Sequence, residues 1–412
     1  MLAMGRVETA GSGSVGGVTG GLFAVADFRR LWCVGLALFT VRWLEMIAFG
    51  VFTYAATGSA FIVSMVTMLR LLPMGLFGAF IGALAERVER RTALLGVVVL
   101  LLLGEAALAV SAMTGHLAVW QIALASFING CGWAADNPIR RVMIGQAAGA
   151  ERMNIAMSID VGANNASRML GPTVGGALLA AIGIQGALVL GAALYCAALM
   201  ILLRLGQRNP PAVPQTARVL ATIREGLVFA WRDERLRGIL WVTVVYNLFG
   251  WPFTGMIPVI GRDSLDLGPQ GVGILASMDG IGAFCGALFM ARWSRQSNFR
   301  LAYVGGCIVY LAAIAGFALS PGFWLASASL FLTGFFGTGY TVMQATLTYR
   351  AAPPEMKSRM LGVLSLCIGL GPIGFLLLGG LAEVMGAPWA TALCALAGVA
   401  VLATTGRVWR AI

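Results

Sequence analysis

The chain has 412 residues, of which 59% are hydrophobic and 11% are charged, with a formal net charge of +11. Soluble domains carry about 25% charged residues, so this composition excludes an ordinary soluble domain and indicates that lipid surrounds most of the chain. The mean hydropathy of +0.87 and the long unbroken apolar runs favour membrane-spanning helices over the short alternating strands of a barrel.

Twelve apolar runs follow one another along the chain, each about long enough to cross a bilayer. We name them spans 1 to 12. Their predicted ranges are 31–55, 61–85, 92–113, 118–138, 155–181, 184–206, 237–260, 270–293, 301–319, 323–347, 359–382 and 386–406.

The polar segments divide these spans into two halves. Residues 1–24 are rich in Gly, Ser and Val and predict a flexible cytoplasmic tail rather than a signal peptide. Residues 207–236 form a linker that opens with prolines and continues as an arginine-rich amphipathic helix, typical of the membrane surface. The predicted six-helix bundles are 25–206 and 237–406, followed by a short cytoplasmic tail at 407–412.

Basic residues predict the orientation. With the N-terminus in the cytoplasm, Arg262 falls in an outer loop, three of the 28 Lys and Arg residues lie within spans, and the others lie in the tails, the linker and the inner loops. The positive-inside rule therefore predicts that both termini are cytoplasmic. The net charge reflects this topology and gives no argument for a nucleic-acid partner.

One glycine-spaced phrase occurs twice. Residues 78–84 read GAFIGAL and residues 282–288 read GAFCGAL, half a chain apart, and GPTVGG from Gly171 is similarly echoed by GPIG from Gly371. Two echoes at nearly one offset indicate duplicated six-helix halves, as in secondary transporters. The small residues predict close helix packing in lipid. Only the first copy continues into the charged stretch ERVERR.

These motifs resemble known transporters. Residues 82–91, GALAERVERR, resemble the signature loop of the major facilitator superfamily, and residues 167–176, SRMLGPTVGG, are similar to the antiporter motif of exporters. DFRRLW at 27–32, TGS at 57–59, NPIR at 137–140 and REGLVFAWRDERLRGIL at 224–240 resemble the drug:proton antiporter-3 branch, which includes enterobactin exporters and macrolide efflux pumps.

The resemblance implies an all-α integral membrane protein with twelve transmembrane helices in two pseudo-symmetric six-helix bundles, the major facilitator fold. It implies a monomeric, multi-pass transporter of the bacterial cytoplasmic (inner) membrane, not an enzyme.

The resemblance also implies that Glu86 and Arg90 form a latch against the other half, although Glu86 stands where the family has aspartate and Glu89 where the family has glycine. Alternatively, ERVERR only ends the helix. The implied cytoplasmic gate comprises Gly82, Glu86, Arg87, Arg90, Arg91, Asp136 and Arg140, and the antiporter motif comprises Gly171, Pro172, Gly175 and Gly176.

Charges within spans are costly in lipid and indicate functional sites. Glu45, Asp160 and Asp279 are the candidate proton-coupling residues. Glu45 lies three residues after Arg42 on one helix face, either as a neutralising pair or as a coupling pair. Asp279 has no basic neighbour in sequence, so it either exchanges a proton near neutral pH or pairs with an arginine of another span.

Other polar residues have structural alternatives. Asp160, Asn164 and Arg168 recur every four residues and form one stripe in span 5, either on a substrate or proton path or in a hydrogen-bonded seam. Asp136 predicts a helix end with a gate contact to a neighbouring arginine. Glu105 is expected to be a structural partner of Arg70.

Deep aromatic and polar residues predict a pocket for an amphipathic organic molecule, with core packing as the alternative for each. The candidate cavity residues are Arg42, Trp43, Phe49, Trp133, Asn164, Arg168, Tyr246, Asn247, Trp251, Tyr340 and Gln344.

The sequence has no Walker loop and no metal-ligand spacing, so no cofactor and no metal are expected and a proton gradient is the predicted energy source. The predicted function is proton-coupled export of a small amphipathic molecule (drug, macrolide or siderophore) by alternating access. The alternatives are a metabolite importer, a lysophospholipid flippase and a non-transporting membrane scaffold. The expected partners are the small-molecule substrate and the lipid bilayer.

Overall fold

The computed structural model describes residues 21–86, 88–206, 219–293, 296–353 and 356–412, and within these ranges the chain is helical with no strand. Each helix of the first half is long enough to cross a bilayer. Spans 1 to 6 are Ala26–Thr57, Ala60–Glu86, Arg90–Met113, Val119–Ala148, Met153–Ile182 and Ile184–Leu203.

The second half contains more interrupted helices. Spans 8, 10 and 12 are single helices at Pro269–Trp293, Phe323–Ala351 and Ala387–Thr404. The other three spans are composite. Span 7 consists of the α-helix Glu234–Val245, the π-helical turn Tyr246–Gly250, the 3-10 segment Trp251–Gly255 and the α-helix Ile257–Asp263. Span 9 consists of the π-helical turn Leu301–Gly305 and the α-helix Gly306–Ala318, and span 11 consists of the α-helices Lys357–Ile368 and Gly371–Met385.

The twelve predicted spans are confirmed. Seven helices of the described residues are long and apolar enough to cross a membrane on those two properties alone, or eight when the two parts of span 7 are taken together. Span 4 continues to Ala148, so Arg140 lies inside the helix and is fully buried, not in a loop as predicted.

Span 7 bends by 45° between its first part and Ile257–Asp263. Pro252 and Pro258 lie on either side of the bend, and proline lacks the N–H that a continuous helix requires. The bend and the π-helical turn bring Tyr246, Asn247 and Trp251 to the centre of the molecule, where they line a cavity.

Helix packing repeats between the halves. In the first half, span 1 packs against spans 5 and 6, span 2 against span 4, and span 3 against spans 4 and 6. In the second half, span 7 packs against spans 11 and 12, span 8 against span 10, and span 9 against spans 10 and 12. Each of these pairings recurs six spans later, which confirms the two pseudo-symmetric bundles.

The repeated glycine phrase packs as predicted in its second copy. A Cβ at Gly282 would lie 2.8 Å from the carbonyl carbon of Phe331, and one at Gly286 would lie 3.0 Å from the Cα of Phe335. Span 10 therefore approaches span 8 closely only because both positions lack a side chain. Gly78 of the first copy lies outside the side chains that the structure describes.

The halves meet where span 5 packs on span 8 and span 2 on span 11. A Cβ at Gly176 would lie 2.9 Å from the Cα of Gly273. Because nothing but glycine fits at this crossing, the two helices contact backbone to backbone.

We call the end of the molecule with the chain termini the terminal end, and the opposite end the distal end. At the distal end the Tyr54 hydroxyl donates a hydrogen bond to Asp263. The Ser59 hydroxyl and the Phe61 amide both donate to Glu383, the amide at 3.0 Å. These polar contacts, which we call the distal latch, join span 1 to span 7 and span 2 to span 11.

Segments outside the spans pack onto the bundles. The linker helix Val219–Arg232 contacts span 11 through an ion pair of 2.8 Å between Glu225 and Arg359. Residues 21–24 are helical and Leu22 is fully buried, so they belong to the bundle rather than to the predicted flexible tail. Residues 1–20 and 207–218 lie outside the described residues.

Candidate functional site

A cavity of about 260 Å³ lies between the two halves, at mid-height of the spans. Nine of the eleven predicted cavity residues line it, together with residues that the sequence did not single out. Its lining is Arg42, Trp43, Met46, Thr67, Arg70, Leu71, Trp133, Arg168, Pro172, Tyr246, Asn247, Trp251, Thr254, Ile257, Ala276, Asp279, Tyr310, Tyr340, Thr341, Gln344 and Ile368.

Stacked tyrosines form the side of the cavity that belongs to the second half. The ring of Tyr246 lies between Tyr340 and Tyr310, with centroids 3.7 Å and 4.5 Å away. The Tyr340 hydroxyl accepts a hydrogen bond of 2.6 Å from the Gln344 amide. Tyr310 was missed because it lies within the otherwise apolar run of span 9, and nothing in its sequence context distinguishes it from core.

Arginines and tryptophans form the side that belongs to the first half. The guanidinium of Arg42 lies over the Trp133 ring, 4.5 Å from the centroid, and that of Arg168 lies 5.4 Å from the Trp43 centroid. Cations over aromatic faces are stabilised by the ring quadrupole. The cavity thus combines aromatic surface with fixed positive charge.

Asp279 and Arg168 join the two halves at the cavity. Arg168 Nε donates to Asp279 Oδ2 at 3.1 Å, and Arg168 Nη2 donates to the same oxygen. The sequence around Asp279 does not predict this partner, because Arg168 comes from span 5. Spans 5 and 8 lie so close together that a Cβ at Gly280 would be 2.7 Å from the Arg168 carbonyl oxygen. Of the two alternatives for Asp279, the structure has the pairing with an arginine of another span.

Arg42 and Glu45 do not pair with each other, which corrects the local alternative. Arg42 Nη2 lies 3.2 Å from Asp136 Oδ1 of span 4, and Glu45 Oε2 lies 3.0 Å from Arg70 Nη2 of span 2. Each residue thus neutralises a charge on another helix. All four are buried, so the pairs act with little solvent screening.

Glu105 is not the partner that pairs with Arg70, contrary to the expectation, because Glu45 takes that place. Glu105 is instead within hydrogen-bonding distance of Glu45 and is 2% exposed.

The three residues of the predicted polar stripe of span 5 bind three different partners. Asp160 pairs with Arg140 of span 4, Asn164 Oδ1 accepts a hydrogen bond of 3.2 Å from Trp43 Nε1, and Arg168 binds Asp279. Only Arg168 lines the cavity. Asn164 instead supports the Trp43 ring, because its amide is used in that bond.

Phe49, the second predicted cavity residue outside the lining, is 2% exposed. It packs with Leu44, Val66 and Leu108, so its face of span 1 points into the first bundle.

Asp136, Arg140 and Asp160 form a buried cluster in the half of spans 4 and 5 that is nearer the terminal end. Arg140 Nε lies 4.0 Å from Asp136 Oδ2, and half-exposed Arg141 lies 3.9 Å from Asp160. Arg140 also lies over the ring of Phe39, 4.6 Å from its centroid. Asp136 therefore has the predicted contact with a neighbouring arginine, but it lies inside the helix and does not end it, contrary to the prediction.

The signature loop is described only in part. Gly82, Glu86 and Arg87 lie outside the side chains that the structure describes. Arg91 Nη2 donates to the Leu203 carbonyl at 2.8 Å, a contact within the first half. Arg90 begins the helix of span 3.

The glycines of the antiporter motif allow close helix contacts. A Cβ at Gly171 would lie 2.7 Å from Trp43 Cβ, and one at Gly175 would lie 2.9 Å from the Leu44 carbonyl oxygen. With Gly176 against span 8, one face of span 5 thus fixes span 1 and the other fixes the second half. Pro172 lines the cavity itself.

Comparison with known proteins places these observations in a family. A family model described as transmembrane secretion effector matches residues 21–409. Macrolide efflux protein A of Streptococcus pyogenes is 23% identical over 363 residues, which cover 85% of this chain and 88% of the relative. Multidrug efflux pump Tap of Mycolicibacterium fortuitum is 27% identical over 353 residues, which cover 83% and 86%.

Solved transporters share the fold. The nucleoside transporter NupG superposes with a TM-score of 0.72 at 13% identity, over 93% of this chain and 98% of that one. A peptide transporter POT in complex with sulfate gives 0.71 at 14% identity, over 93% and 95%.

Proposed function

Because the chain belongs to the transmembrane secretion effector family of the major facilitator superfamily, we propose that it exports a small amphipathic organic molecule in exchange for protons. It is a membrane transporter and not an enzyme. Its relatives are named for the efflux of macrolides and of multiple drugs, which supports a drug-like substrate.

The observation that carries the proposal is the aromatic, ion-paired cavity between the halves. Aromatic surface with few polar groups suits an amphipathic organic molecule. In transporters built from repeats, the substrate site lies near mid-membrane at the repeat interface, and rocking of the halves opens it to each side in turn. A non-transporting scaffold has no need of buried charges around a cavity, so the lining disfavours that alternative.

The proposed orientation places the terminal end in the cytoplasm of a bacterium, across the inner membrane. The arginine distribution supports it through the positive-inside rule. In this orientation the distal latch joins the halves on the outer side, so the state described here is one in which the outer side is closed. A single chain supplies both halves of the cavity, which is why we propose a monomer.

Protons supply the proposed energy. Arg168 and Asp279 link the halves directly, and a proton on Asp279 would remove the charge that holds Arg168. The ion pair therefore offers a switch between rocking states that needs no cofactor. Arg168 is only partly buried, but leaving it without its carboxylate still costs free energy, so the switch favours the ion-paired state.

The test is transport by the purified protein in liposomes with an acidic interior. Protons leave such vesicles, so an antiporter accumulates its substrate inside them. We expect accumulation of radiolabelled erythromycin, with enterobactin and labelled lysophosphatidylcholine as alternative substrates, and its collapse when a protonophore abolishes the gradient. Transport of the lysolipid alone would favour the flippase, and accumulation that survives the protonophore would contradict proton coupling.

A further inference from the structure

Two buried carboxyl groups face each other inside the first bundle. Glu105 of span 3 is 2% exposed and Glu45 of span 1 is 0% exposed, and their side chains are within hydrogen-bonding distance of one another. Glu45 was a sequence candidate for proton coupling, whereas Glu105 was assigned only a structural role.

The two donors that bind the pair directly share one oxygen. Arg70 Nη2 and Asn129 Nδ2 each donate to Glu45 Oε2 at 3.0 Å, and the Tyr195 hydroxyl donates to Asn129 at 3.2 Å. Glu45 Oε1 and both oxygens of Glu105 receive no hydrogen bond from the N–H and O–H donors of the described residues. A proton shared among these adjacent oxygens supplies the donor that they lack, since buried acceptors are normally hydrogen-bonded.

Charge balance gives the same result independently. Three buried arginines of this half each have a carboxylate partner: Arg42 with Asp136, Arg70 with Glu45, and Arg140 with Asp160. Glu105 is a fourth buried carboxyl, and Arg141, half-exposed, approaches only Asp160. An ionised Glu105 would add an unbalanced charge in low dielectric beside the charge of Glu45, which is costly on both counts.

The fold leaves space for this carboxyl. A Cβ at Gly191 of span 6 would lie 3.0 Å from the Glu105 carboxyl carbon. Span 6 therefore holds the Glu105 side chain against span 1, and the pair is enclosed by spans 1, 2, 3, 4 and 6.

We propose that Glu45 and Glu105 together form a second proton-binding site of the transporter, in addition to the ion pair of Arg168 and Asp279, with Arg70 as the link to the cavity. The inference rests on the proposed proton-coupled function and adds this site to it. With one proton shared by the pair, Glu45 is ionised and holds Arg70. A second proton, arriving at Glu45 Oε2, neutralises it, breaks the bond from Arg70 and frees that guanidinium, which already lines the cavity.

The freed guanidinium of Arg70 then adds unbalanced positive charge to the cavity in which the substrate binds. The other charged or titratable groups facing the pair are Arg42 of span 1 and Tyr195 of span 6, and Arg42 remains bound to Asp136. Loss of the second proton to the cytoplasmic side restores the Arg70–Glu45 bond. Substrate and proton thereby compete through one arginine, as exchange requires.

The test measures the protons released when erythromycin binds to the detergent-solubilised protein in weakly buffered solution, with a pH-indicator dye. The variants are Glu105→Gln, Glu45→Gln and, as a matched carboxyl-to-amide control, exposed Glu151→Gln. We expect release by the wild type, by E151Q and by E105Q, whose amide replaces the shared proton, and a smaller release in E45Q with erythromycin still bound. Unchanged release in E45Q would overturn the proposed site alone, whereas a wild type that transports without releasing protons would overturn proton coupling itself.

Infrared spectroscopy of the wild type tests the shared proton without relying on a variant that folds poorly. We expect a C=O band of a protonated carboxyl at neutral pH, which persists in E151Q and disappears in E105Q. A wild type without such a band would contradict the inference.

Discussion

At the residue scale, the sequence identified which side chains carry charge in the membrane but not which ones pair. Arg42 and Glu45 lie on one helix face, yet each binds a residue on another span, because a partner across a helix crossing competes with a neighbour on the same helix. Asp279 has an arginine 111 positions away. Pairings of this kind depend on tertiary approach and have no local sequence signal.

Asp279→Asn is expected to lower proton-driven efflux by about 10- to 100-fold, equivalent to a coupling free energy of about 1–3 kcal/mol. The amide keeps the shape of the carboxyl but cannot gain or lose the charge that holds Arg168. Erythromycin efflux from energised cells measures the effect, with membrane content determined by immunoblot. Glu151→Gln serves as the control, and equal efflux in both variants at equal protein level would refute the role of Asp279.

Trp133→Ala is expected to weaken erythromycin binding about ten-fold, since the ring contributes both aromatic surface to the cavity and about 1–2 kcal/mol by holding Arg42 in place. Trp120→Ala is the matched control, because Trp120 lies on the same helix but is 65% exposed and outside the cavity. Fluorescence titration of the purified variants gives both dissociation constants. A similar loss in W120A would show that the effect is not specific to the cavity.

At the element scale, spacing predicted the spans well because each must bury about 20 apolar residues in lipid, a constraint that acts locally. The glycine phrase likewise predicted a packing face, and Gly282 and Gly286 form it against span 10. The breaks in spans 7, 9 and 11 were not predicted, because a π-helical turn has no residue pattern of its own. Those breaks position much of the cavity lining from the second half, which explains why Thr254 was missed.

Gly176→Ala is expected to destabilise the protein by about 1–3 kcal/mol, as other overpacked positions do. The new methyl group would meet the span 8 backbone at Gly273, where no side chain can move aside. Gly162→Ala on the same helix is the control, because a Cβ there has no neighbour within 4 Å. Thermal unfolding in detergent compares the two, and an equal fall in midpoint would argue against a close crossing of spans 5 and 8.

At the scale of the whole molecule, two symmetric interfaces, span 5 with span 8 and span 2 with span 11, join halves that repeat the same internal packing. Such an arrangement suits rigid halves that rock about their contacts. The direction in which they open depends on which end holds polar contacts between them. In this structure the distal end holds the latch of Tyr54 with Asp263 and of Ser59 and Phe61 with Glu383.

Replacing both latch acids, Asp263→Asn with Glu383→Gln, is therefore expected to shift the population toward a state open at the distal end. Each hydrogen bond that loses its charge is exposed to solvent and contributes about 0.2–1 kcal/mol, and the three together are enough to change a two-state population several-fold. A cysteine at Thr254, which lines the cavity, reports the shift through its labelling by a membrane-impermeant maleimide added from the distal side.

Asp266→Asn is the matched control, because Asp266 has a positive φ of 50° that asparagine tolerates equally. Faster labelling in the double variant than in D266N supports a latch that closes the distal side, whereas equal labelling would mean that the polar contacts at this end do not control access to the cavity.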